Sequence, residues 1–270
     1  MSWDKQRASI FLAGAGRMGG ALLRGWLAAG FPAASLAVAE PDPSPEIAAL
    51  LKSHAIPAKP KAAPDLMVLA VKPQIMNIVL TAIAPLAGPD TAVLSIAAGR
   101  TVASIAAHFP PGTAIVRAMP NLPAEIGRGI TVAFASEQVT PECRSLCDAL
   151  LHAAGEVAWT GDEGLLDAVT ALSGSGPAYV FHLVECLADA GVAAGLPKDL
   201  AGQLARATVT GAGELLNRSP LSPATLRENV TSPGGTTAAG LSVLMGEPSL
   251  KALVQETVAA ATRRSRELSS

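Results

Sequence analysis

Ser9-Ile10-Phe11-Leu12-Ala13-Gly14-Ala15-Gly16-Arg17-Met18-Gly19-Gly20-Ala21-Leu22-Leu23 is the stretch that decides the architecture. An apolar run of strand length (9–12) meets a glycine turn, and the turn opens a helical pattern that continues to Trp26 and Leu27. Such a glycine motif is weak alone. Here it follows a strand, opens a helix and stands roughly 20 residues before a strand-terminal acid, Glu40, which is the pattern of a dinucleotide-binding unit. Gly14 allows the tight turn, Gly16 lets backbone approach a pyrophosphate, and Gly19 lets the helix pack on the sheet with its N-terminus facing the phosphates. The bland reading of the same residues is a plain turn and a small-residue helix contact. Candidate cofactor contacts in this unit are Ala13, Gly14, Ala15, Gly16, Arg17, Met18, Gly19 and Glu40.

Outward from this unit, apolar runs recur at 36–39, 66–71, 92–96, 114–118 and 129–134, with a helix over 46–52 after Pro41 and Pro43. Apolar strands separated by helices specify an α/β fold, a doubly wound, mostly parallel sheet covered on both faces. Ligands in such sheets sit beyond the carboxyl ends of the strands, where Gly14, Glu40, Lys72, Ala97 and Asn121 fall. Glu40 is placed to accept hydrogen bonds from the adenosine ribose hydroxyls. A 2′-phosphate about 4 Å away would be penalised by about 1 kcal/mol per charge pair in water, so the lean is to NADH over NADPH. Arg17 either reaches over the adenosine and restores NADPH binding or is a solvated surface arginine.

After about Gly164 the strand signal stops. Helices are expected over 165–172, from Pro177 to Gly195, from Pro197 to 217, over 223–229 and 237–245, and from Pro248 onward, with a polar glycine turn at 230–237. The expected domains are 1–160, of Rossmann type, and 161–270, all-helical. Because these helices are apolar nearly all round, they need burial on more than one side, and an interlocked homodimer is expected.

Composition narrows the function class. The chain has 270 residues, 50% hydrophobic and 16% charged, which excludes a disordered chain. With 20 Lys+Arg against 22 Asp+Glu and no basic block, nucleic acid is not an expected partner. The longest uncharged apolar stretch, 73–89, is broken by Gln74, Asn77, Pro85 and Gly88, so no membrane span is expected. Asp4, Lys5 and Arg7 precede an apolar run that flows into the glycine motif, so no signal peptide is read. Cys143, Cys147 and Cys186 support neither a disulfide framework nor a metal site, and fit a reducing, cytoplasmic setting. Cys143 and Cys147, four apart on an expected helix, are read as inert small hydrophobes over a redox pair.

With these segments in place the chain resembles the pyrroline-5-carboxylate reductases, through residues 11–16, through Leu69-Ala70-Val71-Lys72-Pro73, through Leu172-Ser173-Gly174-Ser175-Gly176-Pro177-Ala178-Tyr179, and through Glu228-Asn229-Val230-Thr231-Ser232-Pro233-Gly234-Gly235-Thr236-Thr237. The resemblance implies an N-terminal dinucleotide domain, a helical dimerisation domain, and a substrate site between domains at the subunit interface. It also includes assembly of dimers into a decamer. The implied reaction is hydride transfer from NAD(P)H to the imine carbon of 1-pyrroline-5-carboxylate, giving L-proline. It further implies cofactor contacts at Ala70, Val71, Lys72 and Pro73, at Ile96, Ala97 and Ala98, and at Asn229, the last alternatively an ordinary helix end. Gly235, Thr236 and Thr237 would bind the substrate carboxylate at a helix start, with the Thr237 hydroxyl near the ring nitrogen as the catalytic contact; capping of that helix is the bland reading. Glu163 matches a position close to the substrate, or is an exposed helix-start acid.

No histidine claims the role of acid: His54, His108 and His152 fall on expected surface helices or loops, and His182 reads as a core histidine. Catalysis is therefore assigned mainly to positioning. The sequence departs from the family at Glu40-Pro41-Asp42, which bears on cofactor choice and not on the reaction. Rival readings are a reductase of six-membered cyclic imines, a β-hydroxyacid dehydrogenase, for which only Lys198 and Lys251 could serve as the helical-domain base, and a non-catalytic NAD(P)-sensing dimer.

Overall fold

The computed structural model describes residues 8–269; the N-terminal charges Asp4, Lys5 and Arg7 lie outside the described residues. The chain divides into two compact units, one running to Ser175 and including the segment from Ala261 onward, the other spanning 176–260. The end of strand character near residue 160 and the division of compact units differ in place because the short helix over Leu165–Val169 still packs on the sheet of the first unit.

The first unit contains β1 (Ile10–Ala13), α1 (Arg17–Ala28), β2 (Leu36–Ala39), α2 (Pro45–Ser53), β3 (Leu66–Leu69), α3 (Met76–Ile83), β4 (Ala92–Ser95), α4 (Val102–Ala106), β5 (Ile115–Met119), β6 (Gly129–Ala135), α5 (Pro141–His152), β7 (Gly155–Thr160) and α6 (Leu165–Val169). The strands form one seven-stranded sheet in the order β2-β1-β3-β4-β5-β6-β7. Every neighbouring pair is parallel except β5 and β6. That pair is antiparallel because its connection holds only a 3-10 turn over Leu122–Ile126, too short for the crossover that a parallel return requires. β7 is a strand the sequence reading did not include. Its residues alternate between half-buried and exposed, so it lacks the continuous apolar run of the inner strands.

Successive residues of the central strands point to opposite faces. Leu12, Val68, Leu94 and Val116 join Leu22, Leu23 and Trp26 of α1 and Leu146 and Leu150 of α5 on one side. Phe11, Met67, Val93 and Ile115 join Met76 and Leu80 of α3 and Ile105 of α4 on the other. Burying each such side chain contributes about 1.5–3 kcal/mol, which is what holds the strand ends, and the turns beyond them, in fixed positions. Trp26 also places its Nε1 2.9 Å from the Leu150 carbonyl, to which it donates. Cys143 and Cys147 are both buried on α5, as expected of small hydrophobes.

The helix expected over 165–172 is interrupted: α6 passes into one π turn over Thr170–Gly174, where the Ser175 N–H donates to the Thr170 carbonyl at 2.8 Å.

The second unit contains α7 (Gly176–Ala193), α8 (Lys198–Arg218), α9 (Pro223–Asn229), α10 (Thr236–Leu244) and the first part of α11 (Leu250–Ser269). Among its described residues only Ala201 and Ala205 are buried, whereas Phe181, Leu183, Leu204 and Val243 are exposed. A single copy of this unit thus leaves its apolar faces uncovered. His182, read as a core histidine, is exposed, with its Nδ1 2.8 Å from Glu185. Among the described residues no helix is long and apolar enough to cross a membrane, and no cluster of His, Cys, Asp and Glu could hold a metal ion.

Candidate active site

The glycine turn joins β1 to α1 at the carboxyl edge of the sheet. Gly14 takes φ +93°, and a Cβ there would lie 2.6 Å from the Ala70 carbonyl oxygen. A Cβ on Gly19 would stand 2.1 Å from the Gly14 carbonyl oxygen and 2.9 Å from Ala70 Cβ, so any side chain would push α1 off the turn. Gly16 is different: nothing lies within 4 Å of where its Cβ would be. The roles read from the spacing, a turn, a close helix contact and an open approach, thus fall on the expected glycines. Gly16 is the N-cap of α1 and supplies no side-chain acceptor, which leaves the first-turn amides and the positive end of the helix dipole facing outward.

Glu40 follows β2 and turns back onto this loop. Its Oε2 accepts the Ala15 N–H at 2.8 Å and its Oε1 accepts the Asp42 N–H at 3.2 Å. Arg17, exposed at the start of α1, donates from Nε to Glu125 Oε1 at 2.8 Å, and this bond raises the guanidinium above its ordinary pKa. The side chain stays in solvent and is tied to the 3-10 turn after β5.

Beside the glycine turn, Ala70, Val71, Lys72 and Pro73 leave the end of β3. The Ala70 N–H donates to the Ala13 carbonyl at 2.8 Å, and Lys72 is exposed. At the end of β4, Ile96 and Ala97 are buried and Ala98 is half-buried. Ala13, Met18 and these two stretches therefore share the carboxyl edge of neighbouring strands with Gly14 to Gly19 and Glu40. Sequence reasoning missed Arg100 and Asn77 here: Arg100 Nη2 donates to Asn77 Oδ1, while its Nε is buried without an acceptor. The open space at Gly16 and the uncapped start of α1 are features a dinucleotide would complete.

Glu163, expected beside the substrate or as an exposed helix-start acid, is half-buried. Its Oε1 accepts from Arg117 Nη1 at 2.9 Å and from the Val102 N–H at 2.8 Å. Arg117 itself is 5% exposed within β5, and it was missed although a charge inside the apolar run Ile115-Val116-Arg117-Ala118 was a visible signal.

In the second unit, Asn229 is the last residue of α9 and is exposed. Gly234 takes φ +70°, the Gly235 N–H donates to the Ser232 carbonyl at 3.0 Å, and Gly235 is the N-cap of α10 with no side-chain cap. Thr236 and Thr237 are the first two helical residues, so neither hydroxyl caps the helix, and the first-turn amides are open to an anion.

Residues 163–268 match the family described as pyrroline-5-carboxylate reductase dimerisation, and residues 9–99 match NADP oxidoreductase, coenzyme F420-dependent. The chain is 39% identical over 264 residues to pyrroline-5-carboxylate reductase of Pseudomonas aeruginosa, covering 96% of each. It is 46% identical over 206 residues to that of Synechocystis, covering 76% of this chain and 75% of the relative. Among solved structures, a pyrroline-5-carboxylate reductase from Coxiella burnetii superposes with a TM-score of 0.89 at 32% identity, covering 98% of this chain and 99% of the other. A Plasmodium falciparum pyrroline carboxylate reductase with NADP bound gives a TM-score of 0.80 at 28% identity, with the same coverage.

Proposed function

The chain belongs to the pyrroline-5-carboxylate reductase family, and from that premise we propose how its own residues carry out the reduction of 1-pyrroline-5-carboxylate to L-proline. The observation that carries the reading is the pairing, in one chain, of an open amide-lined glycine turn at the sheet edge with a second uncapped amide turn at Gly235 to Thr237. The first suits a pyrophosphate, the second a small carboxylate. When bound, reduced nicotinamide supplies a hydride from its C4 to the imine carbon.

The chain's part is positioning. Gly14, Gly16 and Gly19 admit the dinucleotide, Ala70 to Pro73 and Ile96 to Ala98 flank it, and Asn229 is a further contact. Gly235, Thr236 and Thr237 bind the substrate carboxylate, and the Thr237 hydroxyl meets the ring nitrogen. If the imine enters protonated, no acid is required, and holding two reactants in near-attack geometry supplies the catalysis. Glu40 directs the choice of cofactor toward NADH, because a 2′-phosphate would meet its carboxylate. The uncovered apolar faces of α7, α8 and α10 support a homodimer, and the three free thiols fit a cytoplasmic, reducing setting.

Following NADH oxidation at 340 nm tests this reading against its rivals. Turnover with pyrroline-5-carboxylate supports it. Turnover only with a six-membered imine carboxylate or a hydroxyacid replaces it with a sister activity, and no turnover with any of them leaves a sensor.

A further inference from the structure

The turn between β4 and α4, residues 96–101, carries the proposed cofactor contacts Ile96, Ala97 and Ala98, and its own backbone does little to hold it. It is tied at its start by the Ile96 N–H donating to the Leu69 carbonyl at 3.0 Å. In its middle Gly99 takes φ +68°, with the Leu268 carbonyl oxygen 3.3 Å from where a Cβ would stand. At its far end Thr101 caps α4 through the Ser104 N–H, and another first-turn amide, that of Val102, donates to Glu163, 61 residues away in sequence. Glu163 is fixed in turn by Arg117. That residue pairs in register with Ser95 of β4, so its side chain leaves the sheet on the face that α3 and α4 cover, at the edge where the turn begins. A guanidinium 5% exposed needs a counter-charge, and the oxygen that supplies it is the one that accepts the Val102 amide.

We propose that Arg117 and Glu163 are positioning residues for the cofactor: the ion pair clamps the α4 end of the 96–101 turn, and Glu163 acts through Val102. This rests on the cofactor reading of Ile96 to Ala98 given above. Glutamine at position 163 keeps a carbonyl oxygen for both donors; alanine keeps neither. Proline at position 102 removes the amide donor and sets its ring Cδ against Glu163 Oε1, so the carboxylate is driven off the turn. Proline is tolerated at a first helical position, and Thr101, at φ −78° and ψ 158°, already has the backbone that a following proline requires.

The dissociation constant for NADH is measured by fluorescence titration, and the KM for pyrroline-5-carboxylate at saturating NADH by initial rates. The expected result is a rise of about tenfold in the NADH constant for Glu163→Ala and of severalfold for Val102→Pro, with Glu163→Gln, which keeps the acceptor oxygen but not the charge, between the parent and Glu163→Ala, and the imine KM within about twofold throughout. An unchanged NADH constant in Val102→Pro overturns the proposal. So does a rise in the imine KM alone in Glu163→Gln or Glu163→Ala, which would put Glu163 against the substrate. If Glu163→Ala fails to fold, Val102→Pro and Glu163→Gln still decide. A parent protein that binds no NADH would instead refute the cofactor reading itself.

Discussion

Replacing Glu40 by glutamine removes a charge without removing the acceptor that the Ala15 N–H uses. In the parent, Glu40 Oε2 lies 2.8 Å from that nitrogen and Oε1 lies 3.2 Å from the Asp42 nitrogen, so the carboxylate is held at the end of β2 in a fixed place. A 2′-phosphate carries about −1.5 to −2 charges at neutral pH. At about 4 Å from a carboxylate, each charge pair costs about 1 kcal/mol in water, which gives about 1.5–2 kcal/mol against NADPH and more where the site is partly dry. At 1.36 kcal/mol per factor of ten, the charge alone is worth about 10- to 30-fold. Initial rates at 340 nm with each cofactor give the ratio of kcat/KM for NADH over NADPH. In Glu40→Gln that ratio falls by about 10- to 30-fold, chiefly through a lower KM for NADPH. Added salt should narrow the parent's discrimination, since screening acts over about 10 Å at 0.1 M. A parent that uses NADPH better than NADH, or a variant whose ratio does not move, refutes the reasoning.

Gly19→Ala places a methyl 2.1 Å from the Gly14 carbonyl oxygen; it should lower stability by about 1–3 kcal/mol, read as a lower Tm, and weaken NADH binding more than tenfold. Thr237→Ala should lower kcat/KM for the imine by about tenfold, the worth of one hydrogen bond of about 1–1.5 kcal/mol, while the NADH dissociation constant stays near the parent value. Phe181→Glu puts a charge into an exposed apolar face of α7 and should turn a dimer into monomers, as measured by sedimentation equilibrium; an unchanged mass would place the interface elsewhere.

The parts of the molecule set by local chemistry were legible before the structure. The run 36–39 is the observed β2, and the three glycines of the first turn have the turn, open-approach and close-contact geometries their spacing implied. Pro223 and Asn229 bound α9 as expected. What was not legible depends on the fold bringing distant residues together. β7 lies at the sheet edge, where Glu156 breaks the apolar run that marked the inner strands. The π turn at Thr170–Gly174 has no periodic signature distinct from a helix. The Arg117–Glu163 pair joins residues 46 apart, and only the sheet register shows that the two charges meet at the turn carrying the proposed cofactor contacts. Arg17 was undecided for the same reason, because its partner Glu125 lies 108 residues away.

The reaction of this family is transfer of the nicotinamide C4 hydride to the imine carbon of 1-pyrroline-5-carboxylate. That this chain carries it out is tested most directly by incubating the protein with pyrroline-5-carboxylate and NADH deuterated at both C4 positions, then examining the product by mass spectrometry and NMR. The expected product is proline carrying one deuterium, on the ring carbon that was the imine carbon. Proline without deuterium, or deuterium at any other position, would contradict it.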